Sequence, residues 1–339
     1  MLPLIVAFLL SLIAALCLTP LAKWIAVRAG ATDVPNALSI HGRPIPRLGG
    51  PAIYVATLGG LLSGIYHNGD SGDLSLGTLA GVLLGATVVH LVGVIEDVKG
   101  LGPPLRLALQ LGGGLVAVAF GLQWGFVPVL ALGVPIAIFY LLAGANAMNL
   151  LDGMDGLAAG VSAISSIFFV AFALLHSQGL PGLMGASLAG SALGFLFYNF
   201  PRATTFMGDG GSLFLGFILA SMALLLTSRP YDLQGLVGPI LILLPSVMDT
   251  GMAIARRIVK KRPILMGDRA HIYDILHTKG LSPTSVVLIM YGVSAIAGAS
   301  ALITTILPGP AALTVALVEA LALFLIFWRP SLLVLEQGR

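Results

Sequence analysis

Eleven stretches of this chain are apolar over close to a bilayer's thickness, a length of about 20 residues in a helix. They run at 2–22, 49–66, 76–95, 105–122, 126–145, 158–175, 182–199, 212–227, 235–254, 284–306 and 310–328. Gln123-Trp124-Gly125 alone divides the fourth from the fifth. In hydrocarbon every backbone N–H and C=O must be paired within the protein, and a helix does this inside one segment. The expected fold is all-α: a polytopic integral membrane protein of about eleven transmembrane helices, one domain over 1–339.

Little of the chain is left for a soluble domain. Charged residues make up 9% of the sequence, against about 25% in soluble domains. Cys17 is the only cysteine and lies inside the first apolar run, which leaves no disulfide framework and no cysteine-based metal site. No basic residue precedes that run, so it reads as a retained span rather than a signal peptide.

An odd number of spans puts the two ends on opposite faces. Of the 17 Lys and Arg residues, 16 fall on one face, and Arg229 alone falls on the other. Basic residues accumulate on the cytoplasmic side. The N-terminus is therefore expected outside, and the C-terminus and the long polar loops inside. A plasma membrane is the expected location. Membrane lipids are the expected surroundings, and no nucleic-acid partner is expected.

The polar residues of the inner loops cluster. Asn146, Asn149, Asp152 and Asp155 recur at intervals of three, with Gly153 and Gly156 beside the two aspartates. Four such groups at membrane depth are costly unless paired or hydrated. Each step of three turns about 60° around a helix, so an intact helix would fan them apart. The glycines predict a helix end near Asp152 and a loop that gathers all four. Adjacent Glu96 and Asp97, followed by Lys99, close the third span. They suit a hard metal or a general base. Asp209, among glycines at the start of the eighth span, suits a Mg²⁺ ligand, with backbone N–H groups nearby for phosphate.

Two further loops complete the set. His41–Gly50 holds Arg43 and Arg47 between prolines and a Gly-Gly pair, and arginine grips phosphate bidentately. Asp268–Asp274 mixes acid, guanidinium, imidazole and phenol, including Arg269, His271 and Tyr273. Asp249 is expected to pair with Arg256 or Arg257, whereas Glu319, in the last span, has no evident partner.

These motifs, in order from His41 to Leu281, resemble the polyprenyl-phosphate N-acetylhexosamine-1-phosphate transferases. Asn146–Gly156 is similar to that superfamily's Asn-x-x-Asn-x-x-Asp-Gly-x-Asp-Gly signature, and Phe206–Ser212 to its Phe-Met-Gly-Asp-x-Gly-Ser signature. The resemblance implies transfer of a sugar-1-phosphate from a UDP-N-acetylhexosamine, foremost UDP-GlcNAc, to undecaprenyl phosphate. UMP is released, and the lipid-linked sugar serves cell-wall or lipopolysaccharide O-antigen synthesis. It implies Mg²⁺, with Mn²⁺ able to substitute, at Asp209, and a uridine pocket shared by Phe206 and the Asn/Asp loop. Asp97, Glu96, Asp209 and His271 are the implied catalytic set, with Asp97 positioning or deprotonating the acceptor. Arg47, Lys99 and Arg269 join Asn146, Asn149, Asp152, Asp155 and Phe206 in binding substrate. A homodimer is compatible with this reading.

Two departures matter. Glu96 stands where the superfamily usually has Asp, and Ile272-Tyr273-Asp274 where it often has further histidines. The second favours the amino-sugar branch over the peptidoglycan translocase. An ionised Asp274 would repel a diphosphate, so it is expected to face away and pair with Arg269 or Lys279. A secondary transporter is the alternative from another class. Transporters place polar residues on broken helices near the midplane, often in repeated halves; here the clusters sit at helix ends without a repeat.

Overall fold

The structure, a computed structural model, describes residues 1–35, 42–68, 75–126, 129–227, 232–261, 263 and 271–336, with side chains as far as 328. It is almost wholly helical. The helices are α1 (Leu2–Arg28), α2 (Gly50–Asn68), α3 (Leu76–Lys99), α4 (Pro103–Ala119), α5 (Leu130–Leu151), α6 (Leu157–Leu175), α7 (Gly179–Asn199), α8 (Gly208–Leu226), α9 (Leu233–Val259), α10 (Ile272–Thr278), α11 (Pro283–Thr304) and α12 (Gly309–Glu336). Between α1 and α2, two short antiparallel strands, β1 (Thr32–Asp33) and β2 (Ile45–Pro46), pair Thr32 with Pro46 and Asp33 with Ile45.

Each of the eleven apolar runs becomes one helix, and among the described residues α10, only 7 residues long, is the one helix the runs do not foresee. Among the described residues, 9 helices are long and apolar enough to cross a membrane, fewer than the eleven expected. The two others have plain causes. α4 has only 17 residues. α2 is diluted by Gly and Thr on the face it buries, including Gly50, Thr57 and Gly60.

The helices are graded from a protein-buried centre to an apolar rim. Within its most apolar window α8 is 89% buried, against 17% for α12 and 22% for α1. The rim exposes Leu and Ile, as lipid contact requires. The centre uses small residues, which let helix backbones approach in the absence of a hydrophobic force between helices. Gly144 and Gly216 show this: a Cβ on either would collide with the facing helix. On α12, Glu319 has Ser300 of α11 as a polar neighbour, while its buried Oε2 makes no hydrogen bond among the described residues.

Candidate active site

The site is built around the first turn of α8. A helix leaves its first N–H groups without partners and carries a partial positive charge there. Asp97, in the last turn of α3, supplies the acceptor. Its Oδ1 accepts from the Asp209 N–H and its Oδ2 from the Gly210 N–H, both at 3.0 Å. Gly93, one turn earlier on α3, lies against the Asp209–Gly210 backbone, where a side chain would not fit. On the same face of α3, His90 donates from Nδ1 to the Gly210 carbonyl at 2.9 Å. Gly208 adopts φ +69° to start the helix against Asp97.

The first inner loop is fastened to this turn through its backbone. Gly49 and Gly50 donate to the carbonyls of Phe206 and Met207 at 2.9 and 2.8 Å, and Phe206 donates to the Pro46 carbonyl at 2.8 Å. The Gly-Gly pair is what allows two backbones to run this close. Arg47 is thereby set beside Asp97, reaching Oδ1 from Nη2 at 2.8 Å and from Nε at 3.2 Å. Both carboxylate oxygens of Asp97 are thus engaged, and its side chain is 1% exposed. Here it caps α8 and orients Arg47; it does not stand as an open general base.

Asp209 itself is bound by a residue that the sequence reading passes over. Arg106, in the first turn of α4, places Nη1 2.6 Å from Asp209 Oδ2. The signal was present: a cation in a helix's first turn opposes the helix dipole and therefore calls for an acidic partner.

The Asn/Asp stretch divides. α5 ends at Leu151 and Asp152 caps it, as the glycines predict. Asn149 donates to Ser212 Oγ at 3.0 Å, and Asp155 accepts from the Ala203 N–H at 2.8 Å. Asn149, Asp152 and Asp155 all line one cavity of about 1310 Å³. Asn146 does not. It remains helical and turns inward, donating to Gln110 Oε1 at 2.6 Å. The expected gathering of four is a gathering of three, because the helix ends only after Asn146 has pointed elsewhere.

The cavity is also lined by Arg43, Arg47, Arg202, Phe206 and Asp209. Its carboxylates crowd one another. Burial, and then the charges of Asp209, Asp97 and Asp155, hold the Asp152 carboxyl well above its ordinary range.

Glu96, Asp97 and Lys99 do not line the cavity. Asp97 is turned to the α8 backbone, and Glu96 and Lys99 are rotated about 100° and 200° from it around α3. Glu96 instead accepts from the Leu101 N–H, and Lys99 is exposed. His271 is likewise absent from the lining. It caps α10 and is buried, with Nδ1 2.7 Å from Asp249 Oδ2, while the Ile272 N–H reaches Asp249 Oδ1 at 2.9 Å. Asp249 is therefore the acceptor for this turn, where an Arg256 or Arg257 pair was expected. Tyr273 donates to the Leu150 carbonyl at 2.9 Å, tying α10 to the end of α5. Asp274, expected to face away, lines the cavity together with His277 and Thr278. Arg269 lies outside the described residues.

Comparison with known proteins converges on the same stretch. The profile described as glycosyl transferase family 4 matches residues 79–227, which hold Asp97, the Asn/Asp loop and Asp209. The chain is 36% identical over 313 residues to a probable undecaprenyl-phosphate N-acetylglucosaminyl 1-phosphate transferase of Bacillus subtilis, covering 89% of this chain and 85% of that protein. It is 30% identical to a decaprenyl-phosphate N-acetylglucosaminephosphotransferase of Mycolicibacterium smegmatis, over 89% of this chain and 83% of that one. A phospho-N-acetylmuramoyl-pentapeptide-transferase of a Synechococcus strain is 40% identical, but over only 53% of this chain and 55% of its own. The likeness spans nearly the whole chain and includes the helix ends that build the cavity, and on that basis the chain belongs to glycosyl transferase family 4, among the polyprenyl-phosphate N-acetylhexosamine-1-phosphate transferases.

Proposed function

We propose that this protein transfers N-acetylglucosamine-1-phosphate from UDP-GlcNAc to undecaprenyl phosphate and releases UMP. The observation that carries the reading is the likeness to the Bacillus subtilis enzyme over 89% of the chain. An oxygen of the acceptor phosphate attacks the sugar-linked β-phosphorus of the donor. The bond from that phosphorus to the oxygen bridging to the α-phosphate breaks, and UMP departs with the electron pair. A phosphate monoester is already largely ionised at neutral pH, so the attack needs no strong base. That agrees with an Asp97 whose oxygens are both engaged.

The obstacle is repulsion between two anions, and the residues present answer it. Arg43, Arg47 and Arg202 line the cavity and set positive charge beside the phosphates. Phe206 offers a ring for the uracil. The carboxylates fit a hard cation: Asp209 and Asp152 are oxygen ligands, and a bound cation would offset the burial and neighbouring negative charge that raise Asp152. Among the described residues no group of three or more His, Cys, Asp or Glu encloses a metal. Mg²⁺ would therefore draw the rest of its shell from water and phosphate, as it commonly does. When bound it neutralises the diphosphate and the departing UMP. Asp209 would leave Arg106 to hold it.

The distribution of basic residues supports a cytoplasmic cavity in a bacterial plasma membrane. A cysteine at Lys99, in a Cys17→Ser background, should resist impermeant thiol reagents in intact cells and react in inverted vesicles; labelling from outside contradicts the orientation. The reaction itself is tested with purified protein, undecaprenyl phosphate, Mg²⁺ and a panel of UDP-sugars. UMP release is expected foremost with UDP-GlcNAc, and no release with any donor overturns the assignment.

A further inference from the structure

Gly210 is held on both sides from one helix. Its N–H donates to Asp97 Oδ2 at 3.0 Å, and its carbonyl accepts from His90 Nδ1 at 2.9 Å. His90 and Asp97 stand seven residues apart on α3, two turns, and so share a face. Between them Gly93 leaves room for the Asp209–Gly210 backbone, and Gly210 leaves room for Val94. A carbonyl only accepts, so Nδ1 carries the proton. A carbonyl also has two lone pairs, so Gly210 can take this bond beside the one from its own helix.

The His90 ring is itself fixed in angle. It is buried. Tyr54 of α2 stacks on it with centroids 4.4 Å apart and planes 2° from parallel, and Phe214 of α8 meets it edge-on at 6.1 Å. The Tyr54 hydroxyl lies 2.8 Å from Thr87 Oγ1 on α3. A phenyl ring would fill the same space; imidazole adds a directed N–H. Held at Asp97 alone, the first turn of α8 could swivel about that contact. The second hold stops the swivel one residue from Asp209, which lines the cavity.

We propose that His90 is a positioning residue for the cation site: by holding the Gly210 carbonyl it sets the angle at which Asp209 enters the cavity. This rests on the reading of Asp209 as a cation ligand and deepens it, because His90 does not line the cavity.

The test measures Mn²⁺ affinity by electron paramagnetic resonance, and UMP release, in the full-length solubilised protein. His90→Phe keeps a ring and loses the donor. His90→Asn loses the ring and keeps an N–H near the place of Nδ1. His90→Leu has the outline of an asparagine side chain and no donor. His90→Phe and His90→Leu should weaken Mn²⁺ binding roughly three- to tenfold, the value of one hydrogen bond, and lower kcat by a similar factor. His90→Asn should stay within about twofold of wild type. A ring that only fills space gives the reverse order, with His90→Phe like wild type and His90→Asn as poor as His90→Leu, and that order overturns the proposal. Equal Mn²⁺ affinity in His90→Asn and His90→Leu overturns it as well, a comparison that stands even where His90→Phe does not fold. Wild type that binds no Mn²⁺ would instead refute the cation reading itself, and the role of His90 with it.

Discussion

The guanidinium of Arg106 lies 2.6 Å from a carboxylate oxygen of Asp209, although 103 positions separate the two in the chain. The pair holds the first turn of α4 against the first turn of α8 and gives Asp209 a counter-charge. A cation at Asp209 must compete with it. Arg106→Gln should therefore tighten binding of Mn²⁺, followed by electron paramagnetic resonance, while lowering turnover about tenfold through loss of a cation near phosphate. Asp209→Asn should cut kcat by about a hundredfold or more and weaken the dependence on Mg²⁺. Weaker metal binding in Arg106→Gln would show that the arginine supports the cation site instead of competing for it.

Asp97 and Glu96 are neighbours in sequence with different duties. Asp97→Asn breaks a buried ion pair and weakens the α8 cap, so it should lower the stability of the solubilised protein by about 3 kcal/mol. Glu96→Gln removes charge from a contact with its own loop and should cost less than about 1 kcal/mol. Thermal melting in detergent separates them. An Asp97→Asn protein that melts like wild type yet has no activity would return Asp97 to a direct chemical role.

Asp152 makes stability depend on pH with a definite sign. Burial, then the charges of Asp209, Asp97 and Asp155, raise its carboxyl well above 3.8 in the folded protein. The folded state thus holds the proton more tightly than the unfolded one. Its stabilising contribution is full below the ordinary carboxylate range and is lost as pH rises through the raised value. Metal-free wild type should melt at lower temperature as pH climbs from about 5 to 8, and Asp152→Asn, neutral throughout, should flatten that slope. Identical slopes in the two proteins would contradict the crowding.

Asp249 holds His271 and the Ile272 N–H at once. If the two side chains act as one device that seats α10, their losses will not add. Asp249→Ala and His271→Ala should each reduce kcat/KM by roughly a hundredfold, with the double variant little worse than either, a coupling of about 2 kcal/mol or more. Additive losses would mean that His271 contributes separately from Asp249.

Much of this architecture is legible in the sequence because bilayer length and the pairing of backbone groups admit few alternatives. The eleven runs locate the long helices, and Gly153 and Gly156 locate the end of α5. Even the fastening of the first loop is foreshadowed by Gly49-Gly50. What stays hidden is the choice of partner. Nothing local to Arg106 names Asp209, and nothing near Asp249 names His271, because those pairs depend on how separate helices rotate against one another. Asn146 is lost from the cavity for a simpler reason: the helix runs on past it, and about 100° of rotation per residue turns it toward Gln110. Asp274, expected to face away, lines the cavity instead.

In the proposed reaction the bond broken joins the two phosphates of the donor, so that the sugar moves together with its phosphate. UDP-GlcNAc labelled with ³²P at the β position should be incubated with undecaprenyl phosphate, Mg²⁺ and the purified protein, and the label followed into the organic phase. The label should enter the lipid fraction in equal amount to the UMP formed. Label that stays in the aqueous phase as UDP, with the sugar alone on the lipid, would contradict it.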